Sequence, residues 1–81
     1  MAGRTYTLSI HGQPFDVTGL DVVDGKFWAV VDGARMHGAV VPGNIDRDGY
    51  WSISWDGMMC RAWETDIYNA IAEAVEYLSG W

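Results

Sequence analysis

Cysteine is almost absent from this 81-residue chain, which contains Cys60 and no other. A single cysteine cannot form an intramolecular disulfide, so folding does not depend on an oxidising compartment. The two histidines, His11 and His37, are also too few and too widely spaced to form a zinc site with Cys60. Disulfide scaffolds and zinc-dependent folds are therefore excluded.

Long hydrophobic runs are also missing. No apolar segment approaches the roughly 18–20 residues that a membrane-spanning helix needs, and residues 1–5 lack the apolar stretch of a secretory signal. A length of 81 residues is typical of one domain, here 1–81. These features predict a cytoplasmic single-domain protein with no membrane partner.

Basic residues are scarce, with five Lys and Arg against eleven Asp and Glu and a net charge of −6. The five are spread singly along the chain: Arg4, Lys26, Arg35, Arg47 and Arg61. Binding to a nucleic-acid backbone needs a basic face that releases counterions. The charge pattern therefore predicts no direct nucleic-acid binding and favours a basic protein surface or a nucleoprotein complex as partner.

What the chain does contain is a spaced series of Asp-Gly pairs, at 24–25, 32–33, 48–49 and 56–57. Asp-Gly is typical of a two-residue type I′ hairpin turn, because glycine adopts positive φ freely and aspartate tolerates it. The pairs are separated by multiples of eight residues, which leaves about six for each strand, close to the usual length. This spacing predicts an antiparallel meander.

Residue alternation locates the strands. In residues 5–10 apolar side chains alternate with hydroxyls, and in residues 50–55 tryptophan or isoleucine alternates with serine, the pattern of a half-buried strand. Gly19 indicates a bulge or bend within the next extended segment. We expect five to six short strands over about residues 5–63: 5–10, 15–23, 26–31, 34–41, 50–55 and 58–63.

The C-terminal segment changes to a helical period. Apolar residues recur at helical spacing: Ile67, Ala70, Ile71, Ala74, Val75 and Leu78. Thr65 or Asp66 is expected to cap the N-terminus, and Gly80 lies where a helix-terminating glycine is preferred. The pattern predicts an amphipathic helix over about 65–79 that packs on one face of the sheet, giving an α+β fold.

Residues 26–31 are apolar on both faces of the predicted strand. A single helix about 10 Å wide cannot cover a sheet of this many strands, so Trp28 or Phe27 is expected on an uncovered face. An exposed aromatic there indicates a binding or self-association surface. Strong sheet curvature that closes the far side into a partial barrel is the alternative.

The segment from Asn44 to Gly49 resembles the opening of an EF-hand calcium loop. Asn44, Asp46 and Asp48 stand at the first three ligand positions, and glycine stands at the sixth. The twelfth position is Trp55 where a bidentate glutamate belongs, and the flanks are strands. A calcium-binding β-domain is therefore a weaker alternative, since Asx turns favour the same residues.

Catalytic and phosphate-binding motifs are not evident. Nothing in the spacing brings Cys60 near His37 or His11 as a nucleophile and its base, and the glycines form no phosphate-binding loop. Trp51 and Trp55 lack neighbouring cations and are expected in the core rather than as a stacking platform. We therefore predict a protein that is not an enzyme and needs no cofactor.

Acidic residues are predicted to gather at one end of the sheet. Successive turns of a meander alternate between its two ends, so the 24–25 turn, the 42–49 loop and the entry to the helix share one. Five acids lie there: Asp24, Asp46, Asp48, Glu64 and Asp66. Together they form a negative field able to steer a basic partner. The alternative is that aspartate is simply the residue that turns prefer.

Small size, acidic charge, dense aromatics and no catalytic motif together characterise accessory proteins of phages and mobile elements. In this general character the chain resembles the small acidic anti-CRISPR proteins, a resemblance of class that transfers no site residues. It implies a non-enzymatic module that occupies a basic, nucleic-acid-binding surface of a host defence complex such as a CRISPR effector. The other reading is a structural protein that homodimerises through its open sheet face.

Overall fold

The computed structural model describes residues 3–80. They form one antiparallel sheet with six strands in chain order, followed by one helix. The elements are β1 (Arg4–Ile10), β2 (Gln13–Val23), β3 (Lys26–Val31), β4 (Ala34–Val41), β5 (Tyr50–Trp55), β6 (Met58–Ala62) and α1 (Ile67–Leu78). The predicted α+β meander with a C-terminal helix is confirmed.

Three Asp-Gly pairs make the expected hairpin turns. Asp24, Asp32 and Asp56 have φ values of 50°, 51° and 50°, and each is followed by a glycine with positive φ. Positive φ at both central residues is the conformation of a type I′ turn, whose twist matches that of the strands. The β1–β2 turn reaches the same conformation with His11 and Gly12.

The fourth pair, Asp48-Gly49, does not form a two-residue hairpin turn, in agreement with the loop predicted between strands 34–41 and 50–55. Neither residue has positive φ; both belong to the irregular 42–49 loop, which contains an antiparallel bridge between Asn44 and Arg47. A Cβ atom on Gly49 would lie 2.8 Å from the Gly43 nitrogen. Glycine is needed there for close backbone approach rather than for turn geometry.

Gly19 lies at the bulge that its position indicates. The β2–β3 register shifts between Thr18 and Asp21, and Gly19 has φ 65°. The irregularity turns Leu20 into the core, where its side chain is 3% exposed. An extra residue in one strand of a pair increases local twist and bend, so the bulge helps β2 to curve.

The helix buries its apolar stripe against the sheet face that carries Ile10. Ala70, Ile71, Ala74 and Val75 are fully buried there. Asp66 is the N-cap, since its side chain accepts a hydrogen bond from the Asn69 backbone N–H at 3.1 Å. A capped amphipathic helix of this length is stable because its apolar face is covered.

The sheet curves around the helix. Helix α1 contacts β6, β5 and also β1, although β1 and β6 are opposite edges of the sheet. In a flat six-stranded sheet these edges would be about 24 Å apart, more than twice the width of a helix, about 10 Å. The curvature therefore closes the helix-bearing side and leaves the other face uncovered.

Contacts at both edges hold the helix in this position. On the β1 side the Tyr6 and Tyr68 rings meet edge to face, with centroids 5.3 Å apart. On the β6 side the Glu73 carboxylate accepts a hydrogen bond from the Trp63 backbone N–H at 2.9 Å.

Within residues 3–80, no helix combines the length and apolarity that crossing a membrane requires.

Candidate binding surfaces

Strand β3 separates its apolar residues between two very different environments. Phe27 and Val31 are completely buried, whereas Trp28 is 50% exposed on the opposite side of the sheet. Of the two aromatics that were candidates for the uncovered face, Trp28 is the one that lies there. We call this face, formed by the outward side chains of β3 to β6, the open face.

Strand register arranges the open face in two rows that run across four strands. The first row pairs Trp28, His37, Ser54 and Met59 in succession from β3 to β6. The second row pairs Lys26, Ala39, Ser52 and Arg61 in the same way. Directly opposed residues on one face have neighbouring side chains, so each row begins and ends with a long side chain and has shorter ones between.

A groove lies between these long side chains. Its floor is formed by Ala39, Ser52 and Ser54, and Trp28 and Met59 stand on either side of it, enclosing about 320 Å³. Met59 is 70% exposed. His37 also lines the groove, next to Trp28. Two large apolar side chains therefore flank the groove on a face that no element within residues 3–80 covers.

The open face is cationic although the chain is acidic. Lys26, Arg35 and Arg61 point outward here, and the outward positions of these four strands carry no carboxylate, although Asp21 of the neighbouring strand β2 pairs directly with Trp28. The sequence pattern missed this grouping because the cations are far apart along the chain. In β5 the serines alternate with buried Trp and Ile and therefore point outward. Pairing the neighbouring strands with these serines would have placed the three cations on the same face.

An aromatic and cationic cluster borders the groove. Arg61 places its guanidinium carbon 4.9 Å from the centre of the Tyr50 ring, and Arg47 approaches the same ring to 5.9 Å. The Trp63 ring centre lies 5.0 Å from that of Tyr50. Cation–π contacts of this kind hold the guanidinium groups over the ring, so these cations are positioned beside the groove.

The five predicted acids lie at the same end of the sheet, and all are exposed. The Val40 N–H donates to the Gly25 carbonyl oxygen at 2.7 Å, which joins the 24–25 turn to the start of the 42–49 loop. Asp66 has a structural role as helix cap, whereas the side chains of Asp46 and Asp48 make no hydrogen bond or ion pair within residues 3–80. We call Asp24, Asp46, Asp48, Glu64 and Asp66 the acidic end.

Ile45 projects from this acidic end and was not singled out from the sequence. Its side chain is 100% exposed. The Asn44 side-chain oxygen accepts hydrogen bonds from the Asp46 N–H at 2.8 Å and the Arg47 N–H at 3.1 Å. This Asx turn fixes the loop tip, so the structure holds an apolar side chain in water beside carboxylates.

The same Asx turn bears on the calcium hypothesis. The Asn44 oxygen, the first expected ligand, is engaged by backbone N–H groups, and the loop is flanked by strands β4 and β5 rather than by helices. Over residues 3–80, no three or more His, Cys, Asp or Glu side chains are grouped so that they could hold a metal ion. Turn formation accounts for the sequence pattern.

The candidate catalytic pair is divided between the two faces of the sheet. Cys60 lies opposite Ile53 on the core side, whereas His37 lies opposite Ser54 on the open face. Burial, together with the nearby Glu73 carboxylate, raises the pKa of the Cys60 thiol. The other histidine, His11, pairs with Glu76 at 2.8 Å. Among the described residues neither histidine is therefore placed as a base for Cys60, and the raised pKa keeps its thiol protonated at neutral pH.

Trp51 and Trp55 are core residues, as their alternation indicates. Each is 7% exposed, and the Trp55 indole N–H donates to the Val31 carbonyl oxygen at 3.1 Å.

Comparison of the chain with family models, curated proteins and solved structures finds no match. The open face and the acidic end are therefore the two candidate binding surfaces.

Proposed function

We propose that this chain is a non-enzymatic protein-binding module that acts in the cytoplasm and engages a basic partner surface through its acidic end. The observation that carries the proposal is Ile45, which is fully exposed at the tip of an ordered turn beside Asp46 and Asp48. Burial of Ile45 contributes nothing to this fold, so its position favours contact with another molecule.

An apolar anchor surrounded by charge has the organisation of a protein–protein contact. Binding energy concentrates in a few desolvated side chains near the centre of an interface. The charges around them mainly set the association rate and exclude wrong partners. Ile45 supplies such an anchor, and the exposed carboxylates of the acidic end supply the surrounding field.

This chemistry defines the class of partner. The complementary surface has Lys or Arg side chains around an apolar depression, a combination found where proteins hold nucleic acid. The resemblance to small acidic anti-CRISPR proteins suggests such a surface on a host defence complex, for example a CRISPR effector. A module bound there competes with nucleic acid, and its association slows as added salt screens the field.

The test uses two double variants with equal charge change. Asp46→Asn/Asp48→Asn neutralises the acidic end, and Asp32→Asn/Asp56→Asn neutralises two hairpin turns at the other end of the sheet. Asparagine tolerates the positive φ of Asp32 and Asp56. Tagged proteins are used to capture partners from extracts of the source cells, and quantitative mass spectrometry measures the recovery of each.

We expect a partner that wild type and the Asp32/Asp56 control recover equally and that the Asp46/Asp48 variant loses by about ten-fold. Equal recovery by all three proteins would show that the acidic end reflects turn chemistry alone.

Self-association is a second candidate function, favoured by the half-exposed Trp28 on the open face.

A further inference from the structure

We propose that the acidic end of one copy docks into the groove of the open face of a second copy, with Ile45 seated between Trp28 and Met59. The inference rests on the proposed function, because it assigns one partner to the same acidic end. One chain carries both a projecting apolar side chain flanked by carboxylates and a recessed apolar site flanked by cations.

The projecting half is pre-formed. The bridge between Asn44 and Arg47 and the two hydrogen bonds to the Asn44 oxygen hold Ile45 at the tip of the loop. A turn that is ordered before binding loses little conformational freedom on docking. The fully exposed isoleucine therefore gains apolar burial without a compensating cost of ordering the loop.

The receiving half is an apolar recess. The groove of about 320 Å³ has small side chains at its floor and Trp28 and Met59 as its walls. Both side chains are accessible to a ligand, because Trp28 is 50% exposed and Met59 is 70% exposed. A branched aliphatic side chain between an indole and a thioether is a favourable apolar contact.

The charges match as well. Asp46 follows Ile45 directly and Asp48 lies three residues on, while Arg47 between them turns its guanidinium to the Tyr50 ring. Lys26 and Arg61 stand at the two ends of the second row of the open face. Within strands β3 to β6 the outward positions carry no carboxylate, and the nearest one on this side, Asp21, lies on β2 beyond Trp28. Opposite charges around an apolar contact fix its register.

The resulting association is head-to-tail. The loop of one copy meets the groove of the next, and each copy retains one unused loop or groove for a further partner. A symmetric dimer of two open faces would instead bring Lys26, Arg35 and Arg61 of both copies together. Like-charge juxtaposition disfavours that arrangement, so the structure favours the heterologous one.

Complementation between two variants tests this geometry. Ile45→Ser removes the projecting side chain and keeps the groove, whereas Trp28→Ser removes one wall and keeps the loop. Met59→Ser, on the opposite wall, replaces Trp28→Ser if that protein does not fold by circular dichroism. Tyr77→Ser, at a 72% exposed position on the helix, is the matched control. Sedimentation velocity is recorded from about 10 µM to 1 mM, the range of weak small interfaces.

We expect wild type and the Tyr77 variant to self-associate over this range, and each single variant to do so at least about ten-fold more weakly. An equimolar mixture of the Ile45 and Trp28 variants should regain a two-chain species and nothing larger, since only one functional loop–groove pair remains. Wild type that stays monomeric overturns the inference. So does a mixture that stays monomeric while wild type associates. The two proposals can fail separately. If wild type does not self-associate but still captures a partner that the Asp46/Asp48 variant loses, this inference is wrong and the proposed function stands.

Discussion

The two faces of the sheet are formed by the same strands but meet opposite requirements. On the helix-bearing face the fully buried residues are all hydrophobic, and within residues 3–80 no polar or charged residue is buried as a whole. On the open face Trp28 is half-exposed. Strand β3 shows the contrast most clearly, because its apolar residues 27–31 alternate between the two environments. Apolar content in a strand is therefore no measure of burial, and the exposed part is available for binding.

The tryptophans repeat this contrast. Trp51 and Trp55 are buried, and their indole N–H groups donate to the carbonyl oxygens of Thr65 and Val31. Trp28 and Trp63 are each 50% exposed. Buried indoles with a satisfied N–H stabilise a fold, whereas half-exposed indoles on one surface are typical of contact sites. Substitutions on the two faces should therefore have different consequences.

The largest expected effect is on the helix-bearing face. Ile71→Asp places a charge where the side chain is fully buried, at a cost of several kcal/mol, comparable to the whole stability of a small domain. We expect the variant to be unfolded at 25 °C by circular dichroism. Tyr77→Asp, on an exposed part of the same helix, should melt cooperatively near wild type. A cooperative melt of the Ile71 variant near that of wild type would contradict the docking of the helix.

A smaller effect is expected from added volume in the core. A Cβ atom on Gly38 would lie 2.5 Å from a Phe27 ring carbon and 2.8 Å from the Ser52 carbonyl oxygen. Gly38→Ala should therefore destabilise the protein by about 1–3 kcal/mol, measured by urea unfolding. Ser54→Ala, on the open face, should remain within about 0.5 kcal/mol of wild type. Equal stabilities for the two variants would mean that Gly38 does not face a filled core.

Much of the fold followed from local sequence rules. Asp-Gly turn chemistry predicted three hairpins correctly, and the helical period predicted α1 to within two residues at its start. Asp48-Gly49 belongs to the predicted 42–49 loop instead, where Gly49 permits a close backbone contact that depends on tertiary structure. A dipeptide pattern cannot distinguish these two uses.

The candidate site was less predictable. The acidic end follows from meander topology alone, but the grouping of Lys26, Arg35 and Arg61 depends on the register of four strands. Trp28 could not be assigned to a face because its strand is apolar throughout. Ile45 was hidden in a pattern that matched calcium ligands, since exposure is not visible in a sequence.

Of the acidic residues, Asp66 should contribute more to the free energy of unfolding than Asp48, because it caps the helix. Asp66→Ala should cost about 1 kcal/mol, because the Asn69 N–H loses its acceptor. Asp48→Ala should change stability by no more than about 0.5 kcal/mol. Asp66→Asn retains a capping oxygen and should behave like wild type. Urea midpoints of the three variants separate the structural acid from a surface acid, and a neutral Asp66→Ala would contradict this distinction.

The smallest predicted effect is a decline in stability at alkaline pH. The pKa of Tyr6 lies above its ordinary value of 10.0, mainly because the hydroxyl is buried and also because Tyr68 and Asp66 are near. Burial likewise raises the pKa of the Cys60 thiol above 9.0. Above about pH 9 the unfolded chain then binds fewer protons than the folded one, so stability falls as pH rises. The urea midpoint should be lower at pH 10.5 than at pH 8.

Two variants check the origin of this decline. Tyr6→Phe with Cys60→Ala should reduce the pH dependence, whereas Tyr77→Phe, at an exposed position, should leave it unchanged. The Tyr6 hydroxyl is buried without a hydrogen-bond partner, so Tyr6→Phe alone should not destabilise the protein at pH 7. An urea midpoint that rises between pH 8 and pH 10.5 would contradict the assignment.

The most direct test of the central claim, that the open face and the acidic end are binding surfaces separate from the folding core, is a residue-resolved NMR concentration series. Amide spectra of the uniformly ¹⁵N-labelled protein are recorded from about 10 µM to 1 mM, where weak association is populated. The account predicts that shift changes gather in residues 44–48 and at the outward positions of β3 to β6, with one common midpoint, while amides of the α1 stripe stay constant. Changes that spread through the core, or confinement to a single surface, would contradict it.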